Sequence, residues 1–505
     1  MHPTLQILRK DIERLWWAVL FTLVLLAVWA FQEATRASVD PFNQPPPVSW
    51  LNMGLPFVWS LLIALVLHED SLVGDRQFWV ALPCGWRPLL AAKKAFIVAF
   101  IQLPYFLATA AILRARGFNP VSHLPHLLWK QLVLLGLILP VLAAATMVKN
   151  LSQFMLLIVT VASGVVLSST SLNIASAQTD NTWDVRWILA LSTLCAGAVV
   201  VVMLQFARRF TLRSRVVGVI TAFAAASLYS WLPRDTSAAI YVAFSPVQPD
   251  PPALSVSLAS REPDFYQQRR WYNFQRTTVL LPVTVDGLPF GRDAYGTEVR
   301  LDQIVLEMTG ANGDKYEADW LNYSNGVRRN RIEARLDELG ERWQAISVYI
   351  PAVWNSTSRG PVTIHGRILA RFYRWGEHTE VRQGERTEIP VGYCSNAFRG
   401  DATSGPRTLS TLDCETAEVA PGDLLVLPTG RLFEHAFYGP SLFLPDPWLS
   451  PLRHGTNSIA GNVLATPWTV APKTLFHAVL IDYTIPNVDL NRYVVHEPVK
   501  PEAAK

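Results

Sequence analysis

The chain has 505 residues, 50% hydrophobic and only 17% charged, with a net charge of +4. Ordinary soluble chains carry roughly 25% charged residues, so this composition excludes a plain soluble protein, a disordered one and a fibrous one. The near-neutral balance offers no footprint for nucleic acid, and four cysteines are too few for a disulfide scaffold. Apolar runs of about membrane-spanning length recur from Leu15 to Pro233 and are absent from Arg234 to Lys505.

A helix needs around 20 mostly apolar residues to cross the hydrocarbon core. Seven stretches qualify or come close: 15–31, 50–67, 94–113, 128–148, 151–169, 187–206 and 216–232. The first is too long, and its leader too acidic at Asp11 and Glu13, for a cleaved signal peptide. The last, VVGVITAFAAASLYSWL, is short and rich in small residues. The span interiors hold essentially no ionisable residue, which argues against a proton-coupled carrier or an ion pump. Pro56, Pro104 and Pro140 fall inside spans two, three and four and read as tolerated kinks.

Orientation follows from basic residues near the span ends. With the N-terminus inside, the inner segments hold Arg9, Lys10, Arg14, Arg76, Arg87, Lys93, Lys94, Lys149, Arg208, Arg209, Arg213 and Arg215. The outer loops hold Arg36, Arg114, Arg116, Lys130 and Arg186. Twelve against five places the N-terminus in the cytoplasm, and an odd number of spans leaves the C-terminal part outside; were 216–232 not to span, that part would be cytoplasmic.

The loop between spans two and three, HEDSLVGDRQFWVALPCGWRPLLAAKKAF from His68 to Phe96, is too polar to span and too apolar for a solvated linker. Phe78, Trp79, Leu82, Trp86, Leu89 and Leu90 make it amphipathic, and Pro83 and Pro88 break it into short pieces. It resembles the permease subunits of ABC-2-type transporters, in which an acidic residue ends the second span, a glycine follows, and an amphipathic coupling helix leads through a leucine-proline turn to a basic residue and a lysine opening the third span. Glu69, Gly74, Leu82-Pro83, Gly85, Leu89-Leu90 and Lys93 fall in that order. Trp86 stands at the basic position with Arg87 one residue later, and a seventh span exceeds the six of the family core.

The resemblance implies that loop 69–94 couples the membrane helices to a separate ATPase, through Glu69, Asp70, Gly74, Asp75, Arg76, Phe78, Trp79, Leu82, Pro83, Trp86, Arg87 and Lys93. It implies a homodimer or a heterodimer with a second permease, in a bacterial inner membrane. The chain holds no G-x-x-x-x-G-K-[ST], so ATP and Mg are expected in the partner subunit, with no cofactor and no catalytic residue in this chain.

Residues 233–252 read as a linker and 253–505 as an extracytoplasmic β-rich domain following a permease-like domain at 1–232. In PVTIHGRILARFYRW, Val362, Ile364, Ile368 and Phe372 alternate with Thr363, His365, Arg367 and Arg371, the mark of a strand with one buried and one wet face. Similar runs separated by Gly, Pro and Asn turns predict an all-β, sandwich-like domain. IEARLDELGERW, from Ile332 to Trp343, reads either as a strand and turn or as a short helix. Cys394 and Cys414, twenty residues apart outside the cytoplasm, form a disulfide candidate. No zinc set, H-E-x-x-H or G-x-S-x-G accompanies them. Beside the transport reading stand a membrane-anchored sensory or binding protein and a membrane-bound hydrolase.

Overall fold

A computed structural model of the chain describes residues 3–35, 50–69, 85–160, 183–208, 210–246, 254–258, 277–286, 297–317, 333–336, 342–350, 360–382, 384–390, 392–400, 408–417, 424–428, 449–460 and 468–496. The helices in chain order are α1 (Pro3–Thr35), α2 (Trp50–His68), α3 (Trp86–Ile97), α4 (Leu103–Ala115), α5 (Leu124–Met147), α6 (Leu151–Thr160), α7 (Trp183–Met203), α8 (Thr211–Trp231) and α9 (Arg234–Phe244). Among the described residues, five stretches are long and apolar enough to cross a membrane: Pro3–Thr35, Trp86–Ala115, Leu124–Met147, Val185–Arg208 and Thr211–Trp231. Gly54–His68 and Leu151–Thr160 are shorter apolar helices. The helical half therefore has membrane-protein character, and a strand-rich region follows it.

The strands are β1 (Ser255–Leu258), β2 (Thr277–Asp286), β3 (Thr297–Thr309), β4 (Lys315–Glu317), β5 (Glu333–Leu336), β6 (Arg342–Ile350), β7 (Val362–Trp375) and β8 (Thr379–Val381). They continue with β9 (Arg386–Ile389), β10 (Gly392–Gly400), β11 (Thr408–Thr416), β12 (Leu424–Pro428), β13 (Arg453–Ala460), β14 (Trp468–Val488) and β15 (Val494–His496). The antiparallel pairing of β5 with β6 shows a strand at Glu333–Leu336, within the stretch that the sequence left open between strand and helix.

The chain divides into two compact units, each built from several stretches of sequence. One comprises Met1–Ala162, Leu189–Leu228 and Gly376–Lys473, and the other Ser163–Ile188, Tyr229–Trp375 and Thr474–Lys505. All the strands follow residue 253, but they are divided between the two units. In the first unit α2 lies against α1 and α5, burying Leu51, Leu55, Trp59, Leu62, Ile63 and Leu67. Trp29 Nε1 donates to Asn52 Oδ1 at 2.7 Å in that interface, so a buried polar group on each helix satisfies the other. A π-helical turn, Val98–Gln102, separates α3 from α4. Pro104 lies just beyond it; proline offers no amide donor and crowds the preceding turn, and a wider turn absorbs that misfit. α8 leaves Leu212, Val219, Ile220 and Phe223 exposed, the surface expected against lipid. The same unit holds a four-stranded sheet in the order β13-β11-β10-β9, with β12 and β8 pairing to the first residues of β14.

In the second unit β1-β2-β6-β5 form one sheet, with β15 joining β2, while β7 lies between β3 and β14. Val279, Leu281 and Val283 of β2 share one buried cluster with Leu306, Met308, Ile364, Ile368, Phe372 and Ile485. The buried half of the β7 alternation is as read from the sequence: Val362, Ile364, Ile368 and Phe372 are at most 1% exposed. The other face is wet only at its start, because Leu369, Arg371 and Tyr373 are buried as well. Over Leu369 the cover is α9, which occupies residues expected to be a linker. Its Ala238, Tyr241 and Val242 pack with Ile304, Leu369 and Ala478 on that face.

Candidate functional site

The loop singled out in the sequence lies between two described ends. α2 ends at His68, and the Glu69 amide donates to Leu65 O at 3.1 Å, prolonging the helix by one residue. The Glu69 carboxylate forms an ion pair with the Arg14 guanidinium of α1. Asp70, Gly74, Asp75, Arg76, Phe78, Trp79, Leu82 and Pro83 lie outside the described residues. The chain returns at Gly85, extended at φ −65° and ψ 158°, and α3 starts at Trp86. Pro88 does not break this element: it sits in the first helical turn, where a missing amide hydrogen costs nothing. Arg87 is exposed and its guanidinium lies 5.5 Å from the centre of the Trp86 ring.

Lys93 corrects the reading of the loop. The sequence placed it at the mouth of the third span, but the helix already starts at Trp86, so Lys93 lies two turns inside it. Its ammonium is 2.9 Å from Asp11 Oδ2 of α1, and the two side chains are 2% and 0% exposed. A buried ion pair thus joins α1 to α3 just outside the apolar runs 15–31 and 94–113. Asp11 and Arg14 are three residues apart on α1, hence on one face. That face ties the end of α2 through Glu69 and the start of α3 through Lys93, so both borders of the loop are held by the same helix.

Cys394 and Cys414 stand directly opposite each other in β10 and β11 and are joined by a disulfide. Both are buried with Val381, Ile389, Leu412, Trp468 and Val470 in a small apolar core. Cys195, in α7, is a free thiol whose Sγ lies 3.3 Å from Gly136 O of α5.

Among the described residues no group of three or more His, Cys, Asp or Glu is placed to hold a metal ion. His365 Nδ1 lies 3.0 Å from Thr484 Oγ1 on an exposed strand face. Beside it Arg367 donates to both Asp482 oxygens at 2.6 and 3.0 Å, and that hydrogen bonding holds the Asp482 carboxyl below its usual range. Asp235 of α9 lies 3.8 Å from the same guanidinium, so this is a charge cluster on the surface of the strands.

Asp11, Arg14, Glu33 and Arg116 escaped the sequence reading as partners. Asp11 was noted only as a charge in the leader, and Glu33 and Arg116 fall at the margins of apolar runs, where a charge needs no explanation. Their one sequence signal is that a charge adjoining an apolar helix must be paired or solvated, and pairing is a long-range fact. No family model matches this chain, and none of the curated proteins or solved structures compared with it matches either.

Proposed function

We propose that the chain is the permease subunit of an ABC-2-type transporter, driven by a separate ATPase that acts on loop 69–94. What supports this reading is the attachment of both loop borders to one face of α1, Glu69 to Arg14 and Lys93 to Asp11. A push on a loop so bordered reaches α1, α2 and α3 together, whereas a mere membrane anchor has no use for a buried ion pair there. In this reading seven spans cross a bacterial inner membrane, the N-terminus is cytoplasmic, and the strand-rich region forms an extracytoplasmic sandwich that handles substrate or docks a partner. Two copies, or one copy with a second permease, assemble with two ATPases that supply the ATP and Mg sites.

The test is a mild-detergent pull-down of the tagged chain from native membranes, with the co-purifying proteins identified by mass spectrometry. A stoichiometric P-loop ATPase is expected, and Glu69→Ala, Gly74→Leu or Arg87→Glu is expected to lose it while membrane insertion persists. A clean preparation without an ATPase, or variants that retain it in full, overturns the assignment and leaves a membrane-anchored binding or sensory protein as the reading.

A further inference from the structure

The helix that succeeds the loop runs from Trp86 to Ala115, 30 residues, or about 45 Å at the α-helical rise. It stops in a glycine cap. Gly117 has φ +95°, the Phe118 amide donates to Leu113 O at 3.0 Å, and the Gly117 amide donates to Arg114 O at 3.2 Å. That is the paired bonding of a Schellman ending. The two carbonyl oxygens just past the helix are both taken by the four-stranded sheet of the same unit. Arg386 Nη2 donates to Arg116 O at 3.1 Å and the Tyr393 hydroxyl donates to Gly117 O at 3.0 Å. Tyr393 also meets the Phe118 ring edge-on at 5.2 Å, and the Arg386 guanidinium lies 4.4 Å from the centre of the Tyr393 ring.

Neighbouring contacts make this a joint between elements. Arg116 Nε and Nη2 donate to Glu33 O, in the last turns of α1, at 3.3 and 3.0 Å. The Ser450 hydroxyl donates to Glu33 Oε2 at 3.2 Å, and the Tyr105 hydroxyl donates to Leu449 O at 2.8 Å, both buried. On the sheet side Tyr393 faces Glu415, and the next rung is the bonded pair Cys394–Cys414. Adjacent residues of a strand point to opposite faces. The disulfide therefore enters the sheet's own core while the Tyr393–Glu415 rung is presented to the helix ends, and the cross-link holds the register that keeps those two residues side by side.

We propose that this contact is a fixed mechanical joint, in which Arg386 and Tyr393 fasten the disulfide-bonded strand pair to the end of α4, so that Leu103–Ala115 and strands β9, β10 and β11 move as one body. Bending of the long helix then falls at the π-helical turn Val98–Gln102 and not at the joint. Use of the joint to pass force from an ATPase to the strand-rich region rests on the permease reading; the joint itself does not.

The test uses the full chain in lipid nanodiscs, with Cys84→Ser and Cys195→Ser and the disulfide retained. Spin labels at Leu107→Cys, 58% exposed, and Glu388→Cys, exposed in β9, report the distance by electron double resonance. A single narrow distribution is expected. Arg386→Ala with Tyr393→Phe is expected to broaden it at least about twofold, as a local opening would, while amide exchange shows β10 and β11 still protected. Tyr393→Phe alone, which removes one hydroxyl and no ring, is expected to broaden it in the same direction and decides the matter should the double variant lose its strands. A broad or multiple distribution in the unaltered joint, or a Tyr393→Phe distribution identical to it, overturns the proposal. The measurement needs no ATPase, so a failed joint and a failed permease assignment are told apart.

Discussion

Asp11 and Lys93 are 2.9 Å apart and almost wholly shielded from water, so each has lost its hydration and depends on protein partners. Removing one partner takes the nearby opposite charge from the other, which in buried pairs costs about 3–5 kcal/mol, whereas replacing both with apolar groups is often close to neutral. Lys93→Met is therefore expected to lower the thermal midpoint in detergent far more than Lys93→Met combined with Asp11→Leu. Equal losses would show that the pair has no mutual dependence. Glu415 behaves differently. Its carboxylate sits 3.5 Å from both Arg116 and Arg386, yet burial raises its pKa by more than the two guanidiniums lower it. A folded-state pKa above the unfolded one gives stability that is complete below the unfolded carboxylate range and is lost as pH rises through the folded value. As the pH falls from neutrality to the ordinary glutamate value of about 4.3, the unaltered protein is expected to gain stability relative to Glu415→Gln. A constant difference between the two melting curves across that range would refute it. Gly366 makes a steric prediction: a Cβ there would collide with the Tyr483 ring at Cζ. The Tyr483 hydroxyl donates to Gln303 Oε1 at 2.9 Å, which restrains the ring. Gly366→Ala is expected to cost about 1–3 kcal/mol by overpacking, read as a lowered midpoint, and an unchanged midpoint would mean the ring swings aside freely.

The cross-strand disulfide closes a twenty-residue separation between β10 and β11. Chain-entropy estimates for loops of this size give about 3 kcal/mol. Reduction is expected to raise amide exchange in β9, β10, β11 and β13 while leaving α2 and α5 protected, a pattern that exchange with mass spectrometry resolves. Exchange rising uniformly through the bundle would instead mean that the sheet and the helices unfold as one. α7 and α8 approach so closely that a Cβ on Gly197 would overlap the Thr221 side chain. The glycine is what permits that crossing, as small residues do where helix backbones meet. α9 shows the converse: it packs over Leu369, so that β7 is buried on both faces there.

At the scale of the molecule, the bias of basic residues toward one side of the apolar helices is the remaining handle on direction. The proposed orientation predicts that a membrane-impermeant maleimide labels Glu388→Cys in intact spheroplasts and reaches Arg87→Cys only after permeabilisation. The reverse pattern would invert the topology and place the coupling loop on the wrong side for an ATPase.

Apolar periodicity was enough to read the helical half and the strand-rich half, because burial against lipid or a sheet core is written into consecutive residues at a fixed period. It showed in the run Leu15–Phe31, now part of α1, and in Val362 to Phe372, where the buried face is as the alternation implies. Direct apposition of Cys394 and Cys414 depends on strand register, which twenty residues of spacing do not contain. The pairing of Lys93 with Asp11, the seat of Arg116 against Glu33 O, and the assignment of Gly376–Lys473 to the helix-bearing unit came only with the tertiary structure. These contacts join residues 82, 83 or more than 300 positions apart. A charge or tyrosine at such a position carries no local sign of the partner that will desolvate it, so its meaning is set by the packing of elements and not by its neighbours in the chain.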